Sequence, residues 1–365
     1  MVGTSAFGDG AASKAPNAVI PSLDGIRAVS ILVVTLSHAG FGALVPGTLG
    51  VTTFFFLSGY LISTLLLQEW DASGRLEIRH FYLRRILRLS PALVITLVIA
   101  YALVQLGWLG GNTSVAGFAA QLFYFTNYYT MFFGGGQSIP HGTGILWSLA
   151  VEEHFYLIYP LLLPFLMRTR SARAAISLLL ACCCVALLWR WHLAIRPGAE
   201  DWRTFYATDT RFDSILYGCI LAFMHRGRSP DTARAEMSVR QWLLFAAGIG
   251  IIMVSGFVRD GVFHQTLRYT LEGFGLMPIF HYAIGHANNI VFRPLSAPLV
   301  KRIGTFSYSI YLIHFIVFQL ITENTAGVVP PAVLFCSGVS IACAYAYLID
   351  TFIDSYVRVL RRNLH

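Results

Sequence analysis

The chain has 365 residues, 56% of them hydrophobic and only 12% charged. Water-soluble domains carry roughly 25% charged residues, so this balance excludes a soluble enzyme and makes the lipid bilayer the chain's solvent. The formal net charge of +8 sits in short Lys and Arg clusters between apolar stretches, where membrane topology explains it and nucleic acid need not.

Residues 1–20, rich in Gly, Ala and Ser, lack the charged start, apolar run and cleavage site of a signal peptide and are expected to form a disordered cytoplasmic tail. A crossing helix needs roughly 20 mostly apolar residues. Runs of that length predict spans near 24–44, 49–68, 89–108, 143–167, 174–195, 210–226, 240–258, 267–286, 303–322 and 331–353, followed by a basic cytoplasmic tail at 356–365. With the N-terminus inside, the inner segments hold nineteen Lys and Arg against six outside, which places both termini in the cytoplasm. The expected fold is therefore all-α, one polytopic membrane helix bundle over 21–355 with ten transmembrane helices. The apolar stretch 115–133 does not fit as a simple crossing, because counting it would put the arginines at 168–173 outside. Its Phe123, Tyr124, Phe125, Tyr128 and Tyr129 suit the headgroup level, so it reads as interfacial or re-entrant. No internal repeat of the kind that marks many transporters is visible.

Ionisable side chains within a span are expensive and mark functional candidates. In the first span, Asp24 and Arg27 stand three residues apart and can pair. His38 follows Arg27 by eleven residues, about 16 Å along a helix, and so reaches the outer half. Ser58-Gly59 in the second span reads as a close helix contact rather than a nucleophile. The run RHFYLRRILRLSP (79–91) is dense in arginine, and Arg85 and Arg88 share one helical face, an arrangement for anchoring or for holding phosphate. Within WSLAVEEHFYLIYP (147–160), Glu152 is the candidate to orient an imidazole and make His38 an effective base, with Glu153 and His154 as alternatives. Asp209, Arg211 and Asp213 form another cluster, readable as a charge network or as part of an acceptor site. The six cysteines lie in apolar stretches without metal-type spacing and read as small buried hydrophobes; no metal is expected.

Five motifs in order, SLDGIRAVSILVVTLSH (22–38), GVTTFFFLSGYLI (50–62), FYLRRILRLSP (81–91), WSLAVEEHFY (147–156) and FSYSIYLIH (306–314), resemble the acyltransferase 3 family of bacterial membrane acyltransferases. The resemblance implies a multi-pass protein of the bacterial inner membrane that takes acyl-CoA from the cytoplasm. Arg85 and Arg88 would lie near the donor phosphates, with Arg27 helping to hold the donor or the bundle, and His38 would stand at the transfer point. The acceptor would be an extracytoplasmic or lipid-linked polysaccharide. Acetyl is the implied acyl group, and succinyl is an alternative if an outer arginine such as Arg211 met its free carboxylate. Two positions depart from the family pattern: Thr52 stands where an Asp is common after GV, and the last span ends in LIDTFID rather than an acidic-Arg-Pro sequence. From the residues alone, a proton-coupled exporter relaying protons through His38 and Glu152 is the rival reading.

Overall fold

The computed structural model describes residues 21–133, 137–169, 171–198, 200–227, 236–325 and 329–357, and among these the chain is helical with no sheet. The expected tails at 1–20 and beyond 357 lie outside the described residues. The helices are α1 (Pro21–Leu36), α2 (Gly47–Ser73), α3 (Ile78–Gln105), α4 (Val115–Leu122), α5 (Thr126–Phe132), α6 (Trp147–Met167) and α7 (Ala172–Ala194). They continue with α8 (Asp201–Tyr206), α9 (Thr208–His225), α10 (Val239–Phe257), α11 (Gly261–Gln265), α12 (Leu267–Gly285), α13 (Pro298–Asn324) and α14 (Pro331–Leu348).

Among the described residues, eight helices are long and apolar enough to cross a membrane: α1 with its extension to Phe41, α2, α3, α6, α7, α10, α13 and α14. The sixth and eighth expected spans appear as α9 and α12, which carry Asp209, Arg211 and Asp213 and Arg268 and Glu272. Polar composition, not length alone, separates these two from the rest. From Asp213 to Phe223 every residue of α9 is buried, as befits a helix apolar on all sides at the centre of a bundle. It crosses α2 so closely that a Cβ on Gly59 would stand 1.9 Å from the carbonyl oxygen of Ile215, and one on Gly218 1.9 Å from that of Phe56. Only glycine permits that approach. Around this axis α1 packs on α13, α10 on α12, and α7 on α9.

Stretch 115–133 is not a single helix. It is broken into α4 and α5, of 8 and 7 residues, each too short to cross. Between them Tyr124 takes a left-handed backbone, φ 59°, which turns the chain back. Ser114, at the entrance, bonds Ser138 O at 3.1 Å and lies 3.3 Å from the Tyr129 hydroxyl on the returning arm. The segment is thus a pair of short helices joined at Tyr124. Two expectations are corrected. Arg190 and Arg211, counted with the outer loops, are fully buried in the bundle. Of the cysteines, all free, only Cys183 and Cys219 are buried, whereas Cys184 and Cys336 are exposed on the bundle's face, because an apolar run in a membrane protein buries as much surface in lipid as in protein.

Candidate active site

Two cavities face opposite ends of the bundle. The larger, about 1340 Å³, lies at the C-terminal end of α1 and the N-terminal ends of α2 and α6, and is lined by His38, His141, Trp147, Trp202, Tyr206, Arg259, His264 and Arg268 among others. The smaller, about 130 Å³, lies toward the N-terminal ends of α1, α3 and α13, lined by Arg27, Ser58, Arg85, Arg88, Tyr124, Glu152, Glu153 and Tyr156 among others. On the topology expected from the loop charge bias, the first is the outer cavity and the second the inner one, and they are called so below. Val51 and Tyr311 line both. Tyr311 is fixed in this wall, donating its hydroxyl to Ile145 O at 2.9 Å and lying 2.6 Å from the Ser148 hydroxyl.

The outer cavity holds His38. Past Leu36 the helix widens into a π-helical turn, Ser37–Phe41, in which Gly40 has φ 109°. Such turns inside α-helices frequently mark functional sites, and here the turn presents the imidazole at the cavity. His38 Nδ1 lies 2.9 Å from Nε2 of His314 on α13, and the Phe315 ring packs 4.5 Å from the imidazole. His314 is fully buried, and its Nδ1 lies 2.8 Å from Tyr311 O and 3.2 Å from Ile310 O. A carbonyl only accepts, so His314 carries its proton on Nδ1, and its Nε2 is left as an acceptor. His38 must then donate from Nδ1, which leaves its Nε2 with a lone pair. That is the tautomer a general base requires.

Sequence reasoning assigned this orienting task to Glu152, and the structure places Glu152 elsewhere. It lines the inner cavity, beside Ser58 and Arg85, with Tyr156 at hand. The signal for His314 was present in FSYSIYLIH, whose last residue it is, but nothing local shows which distant histidine meets His38. His154, the other alternative, bonds Thr208 at 2.8 Å and lines neither cavity.

The inner cavity collects all three arginines singled out for the donor, Arg27, Arg85 and Arg88. Arg27 pairs with Asp24 at 2.9 Å, as their spacing predicts. Arg85 Nε donates to both Glu153 oxygens, at 3.0 and 2.9 Å, and its guanidinium lies 3.3 Å over the Tyr156 ring. Nη2 donates to Glu153 as well, so this half-buried pair holds Arg85 by one edge and leaves Nη1 with no bond to Glu153. Ser58, expected only to pack, also lines the cavity, as does Tyr124 between α4 and α5.

The Asp209, Arg211 and Asp213 cluster resolves into a charge network. Asp209 pairs with Arg203 at 2.6 Å and accepts from Trp189 Nε1 at 2.7 Å. Asp213 accepts bidentately from Arg190 at 2.8 and 2.7 Å. Arg211 bonds Thr52 at 3.3 Å and stacks 3.9 Å over Tyr269. Thr52 in turn donates to Glu272 at 2.6 Å, and Glu272 accepts from Arg268 at 3.0 Å. A carboxylate therefore stands beside Thr52, contributed by α12. The LIDTFID sequence forms a π-helical turn, Ile349–Asp354, that prolongs the last helix.

A family model described as an acyltransferase domain matches residues 20–350. Over 317 residues the chain is 32% identical to "Peptidoglycan O-acetyltransferase OatA" of Listeria monocytogenes, covering 83% of this chain and 50% of that protein. Over 357 residues it is 30% identical to "Putative peptidoglycan O-acetyltransferase YrhL" of Bacillus subtilis, covering 93% and 55%. The chain spans about half the length of these curated relatives. No solved structure matches it.

Proposed function

The chain belongs to the acyltransferase 3 family, and from that premise we propose that it moves an acetyl group from cytoplasmic acetyl-CoA to a hydroxyl of an extracytoplasmic or lipid-linked polysaccharide. Support for acetyl over succinyl comes from relatives named O-acetyltransferases. Arg211, the residue considered for a succinyl carboxylate, is buried behind the cavity wall.

The observation that carries this reading is the back-to-back arrangement of an arginine-lined inner cavity and a histidine-bearing outer one, sharing Val51 and Tyr311 as their common wall. Arg88, Arg27 and the free edge of Arg85 hold the donor phosphates, since guanidinium groups match phosphate geometry. Glu152 faces this donor rather than the imidazole. The pantetheine arm passes the Val51 and Tyr311 wall and brings the thioester to His38. His38 Nε2 then takes the acceptor hydroxyl proton as that oxygen attacks the thioester carbonyl carbon. The carbon–sulfur bond breaks, the proton passes from the imidazolium to the departing thiolate, and an ester and free CoA result. His314 Nε2 accepts the His38 Nδ1 proton throughout, a bond that strengthens when His38 becomes cationic. A covalent acyl-histidine is the less favoured variant.

The test is single-turnover transfer from labelled acetyl-CoA by purified protein in a bilayer disc, with saccharide acceptor. Acetyl ester on the saccharide and free CoA in equal amounts are expected, with transfer lost and donor binding kept in His38→Ala. Movement of an unmodified substrate without donor consumption would establish the exporter instead.

A further inference from the structure

We propose that the outer cavity selects an acceptor saccharide bearing an oxyanion, a carboxylate or a phosphate, which Arg259 contacts and Arg268 draws in. This deepens the acyl-transfer reading and rests on it. Two arginines and three histidines, Arg259, Arg268, His38, His141 and His264, line this cavity, and no Asp or Glu does. Arg259 is exposed and makes no ion pair among the described residues. Acids adjoining the lining residues have partners of their own: Glu272 has Arg268 and Thr52, Glu323 has His141 and the Gly110 N–H, Asp260 has the Phe263 N–H, and Asp201 has Gln265.

A second observation lies behind the wall. The network there, which Arg268 joins from the cavity side, contains three guanidinium groups, on Arg190, Arg211 and Arg268, and two carboxylates, on Asp213 and Glu272. One cation is in excess. Arg211 has no carboxylate within ion-pair distance among the described residues, and its guanidinium lies 5.6 Å from the rings of Trp147 and Phe205, which themselves line the cavity. A charge in such water-poor surroundings is weakly screened, so its field reaches the cavity through those rings. Trp202 and Tyr206 supply aromatic faces for the sugar itself.

The experiment compares kcat/KM for three soluble acceptors with the full chain in bilayer discs and acetyl-CoA as donor. They are a carboxylated oligosaccharide, the same oligosaccharide with its carboxyl reduced to an alcohol, and its phosphorylated counterpart. The anionic acceptors should exceed the neutral one by about tenfold or more, as hydrogen bonds to a charged group imply, and the ratio should shrink as salt is raised. Arg259→Gln should lower the ratio, and Arg259→Glu, at an exposed position that tolerates substitution, should bring it below one. Preference for the carboxylate points to an acidic sugar, and preference for the phosphate to a lipid-phosphate-linked saccharide. Equal rates for neutral and anionic acceptors would overturn the proposal while leaving acyl transfer intact. So would a dependence on Arg259 that follows the acyl group when succinyl-CoA replaces acetyl-CoA. Absence of transfer to every acceptor despite bound donor would instead remove the acyl-transfer reading, and this proposal with it.

Discussion

Replacing His314 isolates the part of the site that positions rather than reacts. His314 Nε2 receives the His38 Nδ1 proton at 2.9 Å, with its own tautomer set by Tyr311 O at 2.8 Å. In His314→Ala the half-buried His38 loses the acceptor of its N–H, and nothing decides which ring nitrogen keeps the proton. As His38 becomes cationic in the transition state, the missing bond is one to a charged group, worth about 1.5–3 kcal/mol. At 1.36 kcal/mol per decade the rate of transfer should fall by roughly 10- to 200-fold. That is less than for His38→Ala, where the whole base is lost and roughly 100- to 10,000-fold is at stake. His314→Gln keeps an acceptor oxygen close to the position of Nε2 and should recover most of the loss, whereas His314→Asn, one bond shorter, should not. The assay is single-turnover acetyl transfer, with acetyl-CoA binding and thermal unfolding measured on the same preparation to remove effects of the cavity at this buried position. Transfer at the parental rate in His314→Ala, with His38→Ala inactive, would refute the tautomer argument.

Arg88→Gln should weaken acetyl-CoA binding by about tenfold or more, the loss of one charged hydrogen bond, as read by calorimetric titration; undiminished affinity would take Arg88 out of the donor site. Arg85→Ala should also lower stability, by about 1–3 kcal/mol, because it leaves the half-buried Glu153 carboxylate without its charged hydrogen-bond donor; adding Glu153→Gln should restore the unfolding temperature without restoring donor affinity. Val51→Phe narrows the wall between the cavities and should reduce transfer by roughly 100-fold, the scale set by small misplacements of reacting groups, while acetyl-CoA still binds; an unchanged transfer rate would mean the acyl group takes another path. Gly59→Ala sets a methyl 1.9 Å from the Ile215 carbonyl oxygen and should destabilise by about 1–3 kcal/mol or more, seen as a lower unfolding temperature in detergent.

Much of this protein was legible from local sequence because a bilayer imposes local rules. Every crossing segment must satisfy its own backbone and be long enough, so apolar runs located the ten long helices found among the described residues, eight of them apolar enough to cross, and the Asp24 and Arg27 pair followed from helical spacing alone. That 115–133 is not one long helix accords with its reading as interfacial or re-entrant, since it divides into α4 and α5, each too short to cross. Boundaries were less legible. Helix α3 begins at Ile78 rather than near 89, because an arginine-rich turn can be helical yet too polar to count as a span. Pairings across the bundle were decided by tertiary structure. That His38 meets His314 and not Glu152, that Arg85 is held by Glu153, and that Thr52 stands beside Glu272 join residues 276, 68 and 220 positions apart. Helix periodicity shows which face a side chain occupies, but which helix lies against that face depends on the packing of the whole bundle, and here the close approach at Gly59 and Gly218 brings α2 onto α9. A charged residue within a span shows that it needs a partner, and only the packed bundle shows which one it has.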